Sequence, residues 1–351
     1  MYSYLAYTMR PNGGMVLNND SDLKESAPLV LKAADRYKRQ DWIYIAANGK
    51  QGKVPEGLPS KVFPWAGQVI MRSGWDAKAH WAFFDIGPWG LAHQHNDMLH
   101  LSVHAYGRDL LVDTGRFAYQ GTMSRYLFKY ARTSRAHNTV LIDGRGQKPG
   151  QKTVRKPLAS DTYVLTPKLD FAMGTFNNGY EKTAGKAAHT RAVLYLRGDF
   201  WIVIDRITTD RLRTLTAVWH FHPACTVKQD GRSVITADRG KGNIMVMPVS
   251  KRNWNINLIK GQTKPVLQGW YSEKYNIKEP STAAEFTLKA KPDKGAVTFA
   301  WLLLPAKGKI PDVSGELIHC PAGTVRLKVS VKGRETVEAA VRLSGKGLLE
   351  V

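Results

Sequence analysis

From residue 62 onward, short apolar runs are cut at near-regular intervals by Gly, Asp, Asn and Pro. Val69-Ile70-Met71-Arg72 runs into Ser73-Gly74, and Trp81-Ala82-Phe83-Phe84-Asp85 runs toward Gly87-Pro88. Residues 99–106 reach a turn at Gly107-Arg108, and Leu110-Leu111-Val112 returns. Residues 193–196 and 201–204 flank Arg197-Gly198-Asp199, a hairpin signal. Runs at 217–221, 243–246, 297–304 and 325–331 continue the series. Such runs predict strands, and so many of them predict a mainly β chain built as a large antiparallel β-sandwich. The start of the chain reads differently. Residues 23–44 suit one or two helices around Ala33-Ala34-Asp35-Arg36-Tyr37. Asn12-Gly13-Gly14 and Asn18-Asn19-Asp20 are turn material, and residues 49–60 are rich in Gly, Pro and Lys, as a linker is. The expected division is a helical segment plus linker over residues 1–60 and the β-sandwich over residues 61–351.

Composition adds that a sizeable core is available. Of the 351 residues 43% are hydrophobic, with 10 Trp, 14 Tyr and 11 Phe, unlike a disordered chain. Charge adds a partner class. The 51 Lys and Arg outnumber the 29 Asp and Glu, for a net charge of +22. A field of that sign attracts polyanions. The basic residues are dispersed rather than clustered in blocks, and zinc-finger or RNA-binding signatures are missing, so an acidic polysaccharide is expected over nucleic acid. No apolar run approaches the ~18–20 residues that span a bilayer. The first ten residues lack the basic start and apolar centre of a secretory signal. Cys225 and Cys320 form no C-x-x-C motif, and the sequence leaves open whether they pair.

The chemistry gathers between residues 87 and 144. His93, His95, His100 and His104 fall in one short window, with Asp97 and Asp113 near them and His137 further on. Imidazole and carboxylate are zinc-type ligands. A cupin reading of His93-Gln94-His95 fails because no Glu follows before Glu181. Strand geometry constrains any metal shared by His95 and Asp113. With residues 99–106 and 109–113 as a hairpin, Asp113 faces Ser102, and a straight strand would put His95 about 23 Å away at ~3.3 Å per residue. The chain must therefore bend between His95 and Leu99.

Several motifs occur together in order: Phe63-Pro64-Trp65-Ala66-Gly67, Met71-Arg72-Ser73-Gly74-Trp75, Gly90-Leu91-Ala92-His93-Gln94-His95-Asn96-Asp97, Leu110-Leu111-Val112-Asp113-Thr114-Gly115 and Arg135-Ala136-His137-Asn138-Thr139-Val140. Trp219-His220-Phe221-His222-Pro223 and Gly269-Trp270-Tyr271-Ser272 follow. From about residue 10 onward the chain resembles the heparinase II/III-like polysaccharide lyases. The resemblance implies the C-terminal antiparallel β-sandwich of a protein whose N-terminal half is an α/α toroid, with residues 1–60 holding only a remnant of that toroid. It implies one zinc ion, structural in role, on His95, Asp113 and His137. It places His93 at a catalytic position and makes Tyr130 the catalytic tyrosine, with Tyr126 and Tyr119 as alternatives.

A lyase of this kind removes the proton next to a uronate carboxylate and expels the 4-linked oxygen. That requires a group to neutralise the carboxylate, a base and an acid. Arg116, Arg132 and Arg135 are candidates for holding sulfate or carboxylate, and Trp270 for stacking on sugar, with core packing as its alternative. The implied partner is a heparan sulfate-like polymer, alginate or a related uronate polymer, and the implied setting is periplasmic or secreted. The toroid that would furnish the other wall of the cleft has no room in this chain. A non-catalytic acidic-glycan-binding module with a structural zinc is therefore the alternative function.

Overall fold

A computed structural model describes residues 1–319, 323–343 and 347–351. Its architecture is mainly β and antiparallel throughout the paired strands. The centre is an eight-stranded sheet in the order 227–230, 233–236, 242–248, 296–307, 201–209, 187–196, 169–176, 163–165. A five-stranded meander of Lys61–Phe63, Gln68–Arg72, Trp81–Asp85, Leu101–Ala105 and Arg108–Leu111 packs with it. A four-stranded sheet ordered 255–260, 282–290, 213–220, 140–142 shares the same core. The C-terminal sheet of Val313–His319, Thr324–Val331, Val337–Arg342 and Leu348–Glu350 covers the opposite face.

The near-continuous apolar runs of the central strands follow from this layering. Side chains alternate across a sheet. Trp201, Val203 and Ile207, with Phe299, Trp301 and Leu303, enter the core shared with the meander. Ile202 and Ile204, with Ala300, Leu302 and Leu304, enter the core under the C-terminal sheet. A strand buried on both faces cannot alternate with polar residues, and each large side chain so buried contributes roughly 1.5–3 kcal/mol. Thr324–Val331 shows the contrast: Val325, Leu327, Val329 and Val331 are buried while Arg326 and Lys328 are exposed.

Three helices, Tyr2–Thr8, Ala27–Tyr37 and Gln40–Ala46, open the chain. They enclose Ala6, Val30, Ala34, Trp42 and Ile45 and rest on Trp75 of the meander. The second helix begins with Pro28 in its first turn and ends at Lys38 in the left-handed region, φ 52°. The first helix had no signal in the sequence reading. Among the described residues no helix is long and apolar enough to cross a membrane. Cys225 is a buried thiol, and Cys320 lies outside the described residues.

A candidate metal centre beside an exposed histidine

Gly87 and Pro88 end the third meander strand, and the chain leaves the sheet. It travels as an irregular loop until Leu101, with left-handed residues at Gly90, His93 and Leu99. The required bend is here: His100 N–H donates to the Asp97 carbonyl at 2.9 Å, and Leu99 N–H to the Asp85 carbonyl at 2.7 Å. The hairpin that follows carries a bulge between Val103 and His104, which shifts its register by one from that point. The turn itself falls at Tyr106-Gly107, with Ala105 paired to Arg108, and not at the expected Gly107-Arg108; continued from the Val103–Leu111 pair, Ser102 falls opposite Val112, one place short of Asp113. From the far side, Arg191 of the central sheet donates to the Leu99 and Asn138 carbonyls, with its guanidinium paired to Asp205. Asn138 ties the site together structurally. Its amide donates to the Leu101 and Val112 carbonyls, and its oxygen accepts from His220 N–H.

His95 and His137 are fully buried with ring centroids 5.3 Å apart. Ligand atoms of His95, Asp97 and His137 lie within 4.8 Å of one another, and so do those of His100, Asp113 and His137. The expected trio of His95, Asp113 and His137 thus spans two groupings that share His137. They differ in what is left over. In the second, His137 Nδ1 is 2.8 Å from Asp113 Oδ2, and His100 bonds Ser102 Oγ through Nε2 and accepts from Asn138 N–H at Nδ1. In the first, His95 Nδ1, Asp97 Oδ2 and His137 Nε2 are buried and have no hydrogen-bond partner. Buried polar atoms are rarely left so, and two imidazole nitrogens with a carboxylate oxygen fit a zinc-type ion. The remaining nitrogen of each of these histidines meets a carboxylate, Asp20 for His95 and Asp113 for His137. That is the usual support of metal-bound imidazole. Burial alone would raise Asp113, but His137 outweighs it and holds the carboxyl well below its usual range. A cleft of ≈ 330 Å³ opens against His95 and Asp97, lined also by Trp89, Lys148, Lys156 and Asn178.

His93 lies on the outside, its side chain 62% exposed. Its Nδ1 is 3.0 Å from Asp20 Oδ2 and 2.9 Å from the Tyr119 hydroxyl. Asp20 also receives the Tyr119 hydroxyl at 3.0 Å, His95 Nε2 at 2.8 Å and Arg132 Nη2 at 2.9 Å. Burial works to raise the Asp20 carboxyl, yet hydrogen bonds from His95, Arg132 and His93 hold it far below the ordinary range. Burial and the Asp20 charge push Tyr119 up, so the phenol keeps its proton.

The structure brings His93, His95, His137, Asp113 and Arg132 into one neighbourhood, with Arg116 at its border in a bidentate pair with Asp22. The other expected residues lie elsewhere. Residues 124–131 form a short helical stretch that turns Tyr126 and Tyr130 inward onto Phe117, Leu267 and Trp270. Tyr130 is fully buried, its hydroxyl donates to Gln268, and burial raises its pKa, so it offers nothing to a polymer in this arrangement. Trp270 is buried and donates to the Gln262 carbonyl, which is its packing alternative rather than a stacking platform. Arg135 pairs with Glu285. The sequence reading missed Asp20, passed as turn material, and Asp22. Tyr119, kept as an alternative, is the tyrosine that meets His93.

A family model described as "Heparinase II/III-like, C-terminal" matches residues 55–302. A heparin-sulfate lyase of Pedobacter heparinus is 27% identical over 281 residues, which are 77% of this chain and 38% of that protein. Among solved structures, a heparan sulfate lyase mutant from Pedobacter heparinus superposes with a TM-score of 0.83 at 23% identity, over 98% of this chain and 52% of its own. A heparinase III gene product gives 0.82 at 16% identity, over 97% and 52%. The chain spans 38% of the first relative and about half of the solved ones.

Proposed function

Since this chain belongs to the heparinase II/III-like family, we propose that it is the β-sheet part of a polysaccharide lyase that cleaves a uronate-containing acidic polysaccharide by β-elimination. The observation that carries the reading is the exposed His93, hydrogen-bonded to Asp20 and Tyr119 beside the buried His95 and His137 pair. His93 takes the proton from C5 of the uronate. The freed electron pair becomes the C4–C5 double bond, the C4–O bond breaks, and the leaving oxygen takes a proton from the Tyr119 hydroxyl. Arg132, partly exposed, neutralises substrate carboxylate or sulfate. His95 and His137, with Asp97 or Asp113, would hold one zinc ion. The ion would supply a fixed positive charge that keeps the His93 loop in shape. The substrate class is heparan sulfate-like, by the relatives' own names. A toroid outside this chain would give the facing wall, and action on an extracellular polymer would set the protein outside the cytoplasm.

The test is the absorbance of the unsaturated uronate end formed from heparan sulfate. The chain should generate it, and His93→Ala should slow it by roughly 10²–10⁴-fold, the usual worth of a proton-transfer group. A second reading is a glycan-binding module with a structural metal, and the complete burial of the unpartnered His95 Nδ1, Asp97 Oδ2 and His137 Nε2 favours it. Retained heparan sulfate binding with no unsaturated product would select it. For the metal, elemental analysis should find about one zinc per chain. His95→Ala should lose it, and comparison of Asp97→Ala with Asp113→Ala tells which carboxylate is the ligand.

A further inference from the structure

We propose that Asp20 is a positioning residue that fixes the tautomers of His93 and His95, leaving His93 Nε2 bare toward substrate and His95 Nδ1 bare toward a metal ion. This rests on the lyase reading for the use made of His93, but the tautomers themselves can be read without substrate.

An ionised carboxylate can only accept. Every group within hydrogen-bond distance of Asp20 must therefore donate. Oδ1 receives His95 Nε2 at 2.8 Å, so a neutral His95 carries its proton on Nε2. Its Nδ1 then holds a lone pair, and that atom is the buried one without a partner. Oδ2 faces His93 Nδ1 at 3.0 Å, and the Tyr119 hydroxyl, which donates to the same Oδ2, offers its oxygen to Nδ1 at 2.9 Å. Both neighbours of His93 Nδ1 are thus acceptors. A neutral His93 carries its proton there and presents Nε2 as the proton-accepting atom. This is the role a buried carboxylate has in orienting a histidine base.

The carboxylate is itself locked in place. Its side chain is 2% exposed. Asn18 N–H donates to Ser21 Oγ at 2.8 Å and Ser21 N–H returns to the Asn18 carbonyl at 3.3 Å. Asn19 takes a left-handed conformation, φ 52°, and its Oδ1 accepts from His95 N–H at 3.1 Å. Beyond it, Asp22 grips Arg116, and Leu23 N–H donates to the Glu273 carbonyl at 2.6 Å. One oxygen therefore serves the metal-facing ring and the other the solvent-facing ring. Asn in its place would turn one of those acceptors into a donor, which one of the two rings cannot meet without exchanging its proton for a lone pair.

The experiment is long-range ¹H–¹⁵N correlation on the chain labelled at histidine nitrogen, at a pH where His93 is neutral. The wild type should show His93 protonated on Nδ1 and His95 on Nε2. Asp20→Asn should move at least one ring to the other tautomer and weaken zinc binding, titrated with zinc alone, by roughly tenfold to a hundredfold, as loss of such a support does. Asp20→Glu should restore the wild-type tautomers in part, and Tyr119→Phe should leave His93 on Nδ1. Finding His93 protonated on Nε2 in the wild type, or both rings unchanged in Asp20→Asn, overturns the proposal. Should Asp20→Asn not fold, the wild-type spectrum still decides. A chain with these tautomers but no lyase product would sink the function and leave this inference standing.

Discussion

His80 shows what burial does to a single ionisable ring. It lies among the rings of Tyr106, Tyr195 and Trp201, its Nδ1 without a partner. Burial, aided by Arg334, pushes it down to about 4. The unfolded ring titrates near its ordinary value of ~6.5. Between those values the unfolded chain binds the extra proton, so stability is full above about 6.5 and falls as the pH drops toward 4. The loss from this ring runs at up to about 1.4 kcal/mol per pH unit and levels off below 4. Urea midpoints at pH 7.5 and 5 should therefore lie closer together in His80→Phe than in the wild type. An equal gap in both proteins would remove His80 as the cause. Legibility at this scale divides by sequence distance. His93 and His95 stand out because they share one short motif. Asp20 does not, because its donors come from 73 to 112 residues away. Nothing near Asn18-Asn19-Asp20 reveals them.

Among the elements, strands were legible and the stretches between them were not. Trp81–Asp85 and Trp201–Thr209 announce themselves by apolar runs cut at turns. The burial of Tyr126 and Tyr130 is set by the irregular 124–131 stretch and by Leu267 and Trp270 far along the chain. A ligand or a core tyrosine looks the same in a sequence until that packing is known. The hairpin register failed for a related reason: the turn falls at Tyr106-Gly107 instead of Gly107-Arg108, and no residue pattern marked the bulge at Val103 and His104 that takes back half of that shift. The segment after the hairpin offers a sharper test. Gly115 is left-handed, φ 77°, and a Cβ there would fall 1.9 Å from the Ser272 carbonyl oxygen. Gly115→Ala must force the loop off the Trp270–Tyr271 strand. The backbone conformation alone costs roughly 1–3 kcal/mol, so the urea midpoint should drop. A midpoint within error of the wild type would show that the loop yields without cost.

For the whole molecule, mainly β architecture and antiparallel layering followed from the spacing of apolar runs. The placement of the C-terminal sheet did not, because a strand buried on both faces does not say what covers each. Net charge was legible at once, and it carries a prediction at this scale. At +22, capture of the proposed sulfated polysaccharide should be largely electrostatic, and exposed charges are screened beyond ~8 Å at 0.15 M salt. Heparan sulfate binding measured at 50 and 500 mM salt should weaken by roughly tenfold or more, as steering by an extended field requires. Unchanged affinity would point to short-range contacts instead.

The guanidinium of Arg191 gives the molecule a division of labour for anyone who would engineer it. It reaches from the central sheet to the carbonyls of Leu99 and Asn138, so the strands that carry Arg191 and Asp205 are the mechanical mount of the histidine loop. Thermostabilising libraries aimed at the side of the central sheet facing the meander will move that mount along with the packing. Libraries aimed at the opposite side, where Ile202, Leu302 and Val329 meet, can harden the protein while leaving the mount undisturbed.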